Sequence, residues 1–183
     1  LRVALPADWT AATQAATYNT AACSPDMCRL PNMTLIKWNP TKPSEALTIA
    51  ANRFVVKQRS WVARSGQPVQ LATYFFPEHA HFADEYLDAT GRYLDAYIKV
   101  LGPYPFETFA VVENFFSSGL GMPSFTLLGS AIIKRHYVQP YALGHEIVHS
   151  WIGNGVFNQT DKGNWVEGLT TYLANYYWYE LTG

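Results

Sequence analysis

The rhythm of hydrophobic and polar positions changes once along the chain. Up to about residue 76, short apolar runs rich in Val, Ile, Leu, Thr and aromatics are punctuated by Pro, Asn, Ser and Gly. Runs of that length bounded by turn formers predict strands over Arg2–Leu5, Met33–Trp38, Ala46–Ala51, Phe54–Gln58 and Val69–Phe76. From Pro77 the period becomes helical. Phe82, Tyr86, Tyr93, Tyr97 and Leu101 fall on one line, with Leu87, Leu94 and Ile98 beside it and charged residues over much of the rest. Pro77 suits the start of that helix, Gly102-Pro103 ends it, and Gly91 is a weak point inside.

Beyond the helix, Phe106–Glu113 and Phe125–Leu128 read as strands joined by the Gly-rich Ser117–Pro123. A helix is predicted from Pro140 to about Ile152 and a polar loop over Gly153–Gly163. A second helix is predicted from Asn164 to about Leu181, with Leu169, Tyr172, Leu173, Tyr176 and Tyr177 buried. The class is therefore α+β. Residues 1–76 read as the end of a β-sandwich-like domain, and residues 77–183 as the first, mixed strand/helix part of a second domain. Because the chain opens at Leu1 inside an apparent strand, it is expected to belong to something longer.

Composition narrows the partners. Of 183 residues, 49% are hydrophobic and 15% charged, and the formal net charge is −1. Such a chain can bury a core, and it gives no electrostatic reason to expect nucleic acid. No apolar stretch is long enough to span a bilayer. Cys23 and Cys28 flank a turn predicted by Pro25 and Asp26. They are either bridged, which favours an exported, oxidising setting, or two free thiols in a surface loop.

The chemistry concentrates in His145-Glu146-Ile147-Val148-His149. Residues i and i+4 share a helix face, so both imidazoles can reach one ion. Glu146 is rotated about 100° from His145, which lets its carboxylate approach water at the metal without becoming a ligand. Two ligands and a general base thus fit in five residues. On a helical wheel Leu143, Ile147, Val148, Trp151 and Ile152 define the buried side, with both histidines at its edge. Two imidazoles leave a zinc site short of a protein ligand. Glu167 is the candidate third, although Asn164 three residues earlier also makes a capping box. His79 and His81 read as structural, and His136 as a surface residue.

These residues, with Ser150-Trp151-Ile152-Gly153-Asn154 and Trp165-Val166-Glu167-Gly168, resemble the aminopeptidase-N-like zinc metallopeptidases, which are related to thermolysin. The resemblance implies a thermolysin-like catalytic domain and one Zn2+ held by His145, His149 and Glu167. It also implies Glu146 as catalytic base and a peptide as substrate. The 17 residues from Ser150 to Val166 are one fewer than the family's usual interval. The family's Gly-x-Met-Glu-Asn segment corresponds to Leu120-Gly121-Met122-Pro123-Ser124. Gly121 and Met122 are the candidate substrate-binding positions, and Pro123 replaces the Glu that grips a substrate's free amine. Glu113 is the nearest upstream acid that could substitute for it. The family's oxyanion-stabilising Tyr is expected beyond residue 183. The competing readings are a catalytically inactive zinc-binding scaffold of the same fold and a hydrolase acting on a non-peptide electrophile.

Overall fold

A computed structural model describes residues 1–24, 26, 28, 31–44 and 46–182. The front of the chain forms strands β1 (Arg2–Pro6), β2 (Thr10–Ala12), β3 (Thr17–Ala22), β4 (Met33–Trp38) and β5 (Ala50–Asn52). They pair as an antiparallel β1-β4-β3 sheet and a separate β2-β5 ribbon. The expected strand over Ala46–Ala51 is reduced to β5. Upstream of it a side chain takes the place of a strand partner: the Gln14 amide donates to Ala46 O (2.7 Å) and accepts from Thr48 N (2.9 Å). Cys23 and Cys28 form a disulfide. Pro25 of the turn between them lies outside the described residues.

Strands β6 (Val55–Val62), β7 (Pro68–Phe75), β8 (Thr108–Asn114), β9 (Gly119–Met122) and β10 (Phe125–Gly129) build the main sheet, ordered β6-β7-β8-β10-β9. The β7/β8 and β8/β10 pairs are parallel; both edge pairs are antiparallel. Helix α1 (Ala83–Leu101), entered through a tighter 3-10 turn over Pro77–Phe82, connects the parallel neighbours β7 and β8. The change of rhythm at 76–77 is therefore the start of a crossover helix inside one βαβ unit. A domain boundary there would split a hydrogen-bonded sheet.

Alternation along the strands divides the core in two. Leu71, Phe75, Phe109, Val111 and Leu128 pack with the helices, whereas Tyr74, Val112, Phe125 and Leu127 pack on the other face with Ala12. Gly91 is a fitting point rather than a weakness: a Cβ there would stand 2.7 Å from the Trp61 ring, so its absence lets β6 lie close on α1. Gly102, at φ 84°, closes the helix with its N–H on Ile98 O.

A short helix, α2 (Ser130–Lys134), follows β10. The helix predicted over 140–152 is a wide π-type turn, Pro140–Gly144, continuing into α3 (His145–Val148). The next predicted helix is α4 (Val166–Thr171), a π-type stretch Tyr172–Tyr176, and α5 (Tyr177–Thr182). The buried face runs through Thr170, Leu173 and Ala174, one position on from the expected one, and leaves Leu169, Tyr172 and Tyr176, expected inside, 38%, 48% and 63% exposed.

Candidate metal centre

Helix α3 is seated by its apolar side. Leu143, Ile147, Val148, Trp151 and Ile152 are buried in the helix-side core. The Trp151 indole N–H donates to Gly102 O (3.2 Å) and Pro103 O (3.0 Å), tying the turn after α3 to the end of α1. Gly144 faces the rings of Tyr93 and Tyr97, where a Cβ would come within 3.0–3.3 Å, so the entry to α3 sits close on α1.

The seat brings His145 and His149 to one point, with their Nε2 atoms 3.1 Å apart. Glu167 arrives from the first turn of α4, its Oε2 3.4 Å from His145 Nε2 and its Oε1 3.4 Å from His149 Nε2. Trp165, not Asn164, is the N-cap of that helix, and no side chain caps it. The Glu167 carboxylate is therefore turned to the histidines instead of to its own backbone.

The three groups fit a zinc ion. A tetrahedron with bonds of about 2.0–2.1 Å has edges of about 3.3 Å; the two Nε2 atoms stand 3.1 Å apart, each is 3.4 Å from a different Glu167 oxygen, and one ligand atom from each residue lies within 4.8 Å of the others. The donor set, two imidazoles and a carboxylate, is one that zinc accepts. His149 Nδ1 donates to Ile152 O at 3.1 Å, which leaves the Nε2 lone pair facing the common point. Burial, reinforced by the His149 charge and opposed by Glu167, moves the His145 pKa down. A neutral imidazole is the form that ligates. The Glu167 side chain is 62% exposed, so the point opens to solvent on its side.

Glu146 lies beside this point but outside the triad. It is buried, and its Oε2 has no hydrogen-bond partner among the described residues. Desolvation, followed by the Glu167 charge, pushes its pKa up to about 7, and the neighbouring Thr126 hydroxyl works against the rise. A carboxyl group tuned near neutrality can take up and release a proton at physiological pH.

The segment read as a Gly-rich connection is strand β9, the edge of the main sheet. Its Gly119 and Gly121 face Glu146 and His149. Gly121 O accepts from Asn154 Nδ2 (3.2 Å), and Met122 Sδ accepts from Thr48 Oγ1 (3.6 Å). Glu113 is not a spare anchor. Its carboxylate is fully buried, accepting from Phe76 N (2.8 Å) and pairing with His79 Nδ1 (2.6 Å). Thr126 is the contributor that the residue pattern did not single out, and Asn154, quoted only as part of the resemblance, gains a contact of its own. Thr126 carried one usable signal: it is a polar residue in an apolar strand, on the face opposite Phe125 and Leu127.

No protein-family model matches the chain. Among curated proteins it is 33% identical over 88 residues to leucine aminopeptidase 2 of Aspergillus fumigatus. The same identity and length hold for leucine aminopeptidase 2 of Aspergillus niger, and aminopeptidase RNPEPL1 of Mus musculus is 32% identical over 88 residues. Each match takes in 46% of this chain but only 12–14% of the relative. Among solved structures, a two-domain M1 zinc metallopeptidase variant bound to L-arginine aligns over 100% of this chain and 40% of its own. The TM-score is 0.72 at 19% identity. The same kind of enzyme bound to L-tryptophan gives 0.71 at 19% identity. At that identity the likeness is one of fold.

Proposed function

We propose that the chain belongs to the aminopeptidase-N-like zinc metallopeptidases and carries the metal centre of a zinc-dependent peptide hydrolase. The observation behind this reading is the meeting of His145, His149 and Glu167 at one point with Glu146 next to it, a near-neutral carboxyl group whose Oε2 has no hydrogen-bond partner among the described residues. The three curated relatives described above carry aminopeptidase names, in agreement with it.

In this reading His145 and His149 hold one zinc ion through Nε2, and Glu167 holds it through a carboxylate oxygen. When bound, zinc supplies Lewis-acid polarisation of the scissile carbonyl and makes water acidic enough to lose a proton near pH 7. Glu146 takes that proton as water attacks and delivers it to the leaving amine. The backbone of Gly121 and Met122, on the free edge of the sheet, lies alongside the bound peptide. Apolar burial around Ile147 and Val148 keeps bulk water behind the ligands.

Pro123 stands where the family places the Glu that grips a free amine, and Glu113 is engaged elsewhere. The choice between removing N-terminal residues and cutting internally thus turns on substrate form. The test is zinc content of the purified chain, followed by hydrolysis of one peptide in unblocked and N-acetylated forms. Stoichiometric zinc with cleavage of the unblocked peptide supports an aminopeptidase-like activity. Equal cleavage of both makes it an endopeptidase. No bound zinc after reconstitution overturns the proposal, and zinc without cleavage of either leaves the scaffold reading standing.

A further inference from the structure

Strand β9 has two glycines in four residues, and its backbone demands neither. Gly119 and Gly121 are not among the glycines at positive φ, which are Gly66, Gly102, Gly153 and Gly163. Ordinary strand geometry accepts any L-residue, and glycine inside a strand weakens it. The reason for glycine lies across the gap. A Cβ at 119 would overlap Glu146 Oε1 and stand 2.8 Å from Glu146 Cδ. A Cβ at 121 would stand 2.7 Å from His149 Cβ and 3.2 Å from Glu146 Oε2. Both positions pair with β10 residues, Leu128 and Thr126, on the helix-facing side of the sheet. The bare edge strand is therefore pressed against the helix that carries both histidines and the base.

A clasp holds it there. Asn154 N donates to His149 O (3.1 Å), and Asn154 Nδ2 donates to Gly121 O (3.2 Å). One residue thus ties the end of the metal helix to the strand. On the strand's other side, Thr126 Oγ1 donates to Leu120 O at 3.1 Å.

We propose that Gly119 and Gly121 are positioning residues for the zinc-dependent reaction, Gly119 setting where the Glu146 carboxylate rests and Gly121 setting where His149 stands, with Asn154 locking the strand to the helix. The proposal rests on the peptidase reading for its catalytic half and on the ligand triad alone for its metal half. The two glycines differ in what an added methyl group would displace. At 119 it meets the far end of a flexible side chain, so the carboxylate moves and the fold stays. At 121 it meets the root of a ligand, so the helix itself has to shift.

The experiment uses the full 183-residue chain, with zinc affinity from competition against a chromophoric chelator and turnover on an unblocked peptide. Gly119→Ala is expected to keep zinc affinity within about threefold and to lose about a hundredfold in kcat, the scale of a misplaced reacting group. Gly121→Ala is expected to weaken zinc about tenfold or more, as lost support of a ligand does. Leu120→Ala, on the opposite face, leaves zinc affinity unchanged. If Gly121→Ala does not fold, Asn154→Ala carries that arm, with zinc weakened in the same direction. Wild-type zinc affinity in the Gly121 variant, or wild-type kcat in the Gly119 variant, overturns the proposal. A wild-type chain that binds zinc but cleaves nothing overturns the peptidase reading alone, and the contrast in zinc affinity between the two variants then decides this one.

Discussion

Two buried glutamates on the helix side of the sheet have opposite surroundings. Glu113, on β8, is fully enclosed and spends its oxygens on Phe76 N–H and His79 Nδ1. It fastens the turn that begins α1 onto the centre of the sheet. Glu146, on α3, is nearly as enclosed, yet among the described residues one of its oxygens has no partner, and its proton is held up to about pH 7. A buried carboxylate is costly unless hydrogen-bonded. Where that cost is offset, the residue belongs to the architecture. Where it is left standing beside the converging side chains of His145, His149 and Glu167, the residue has the chemistry that the proposed role as base calls for.

The sharpest way to break the comparison is to replace each carboxylate. In the zinc-loaded chain, Glu146→Gln is expected to lower turnover about 10²–10⁴-fold, the usual worth of a general base, with zinc content unchanged by elemental analysis. Glu113→Leu keeps the volume but strands the Phe76 N–H and His79. It is expected to cost about 3 kcal/mol in urea unfolding while turnover per folded molecule stays near wild type. Exchange of these two outcomes would show that the roles are reversed.

The second contrast is pH. An ordinary carboxyl loses its proton near 4.5, whereas Glu146 holds its own to about 7. Between those values the folded protein binds more protons than the unfolded one, so stability falls as pH rises through that window. The full shift corresponds to about 3 kcal/mol at most. In metal-stripped protein, Glu146→Gln should therefore be more stable than wild type at pH 8 by about 2–3 kcal/mol, and the gap should close by about pH 4. Urea midpoints at several pH values check this. A constant gap would mean that the difference is packing and not charge.

The legible parts of the molecule were those fixed by local periodicity. The His145/His149 pair follows from i, i+4 spacing on a helix, and the α1 core line from its aromatic repeat. Glu167 could be read two ways, because Asn164 offered a cap that only the true helix start, at Val166, removes. Strand β9 was hidden because glycine erases the side-chain alternation by which strands are recognised. The change of rhythm at 76–77 was real, but it marked a crossover helix, and only the pairing of β7 with β8 reveals that. Leu169, Tyr172 and Tyr176 form an apolar line of their own, and only packing shows that the neighbouring line through Thr170, Leu173 and Ala174 is the buried one; Gln14 stands in for a strand partner where no pattern announces it.

The smallest effect belongs to a third kind of carboxylate. Asp84, on the solvent side of α1, is bonded by Lys57 and Arg59 from β6, and Arg59 also reaches Asp88. The Lys57 hydrogen bond above all, helped by the Lys57 and Arg59 charges and opposed by desolvation, holds the Asp84 proton affinity below the ordinary 3.8. A depressed acid lends stability above its unfolded pKa and loses it only as pH falls below that value, so whatever this cluster contributes is present at pH 7. Exposed pairs of long side chains give little, because water and salt screen them and ordering the chains offsets the attraction. Asp84→Asn should leave the urea midpoint at pH 7 unchanged within error, in low and high salt alike. A clear salt-dependent loss would show that the β6–α1 seam is held by charge, and that Trp61 packed against Gly91 is not sufficient to hold it.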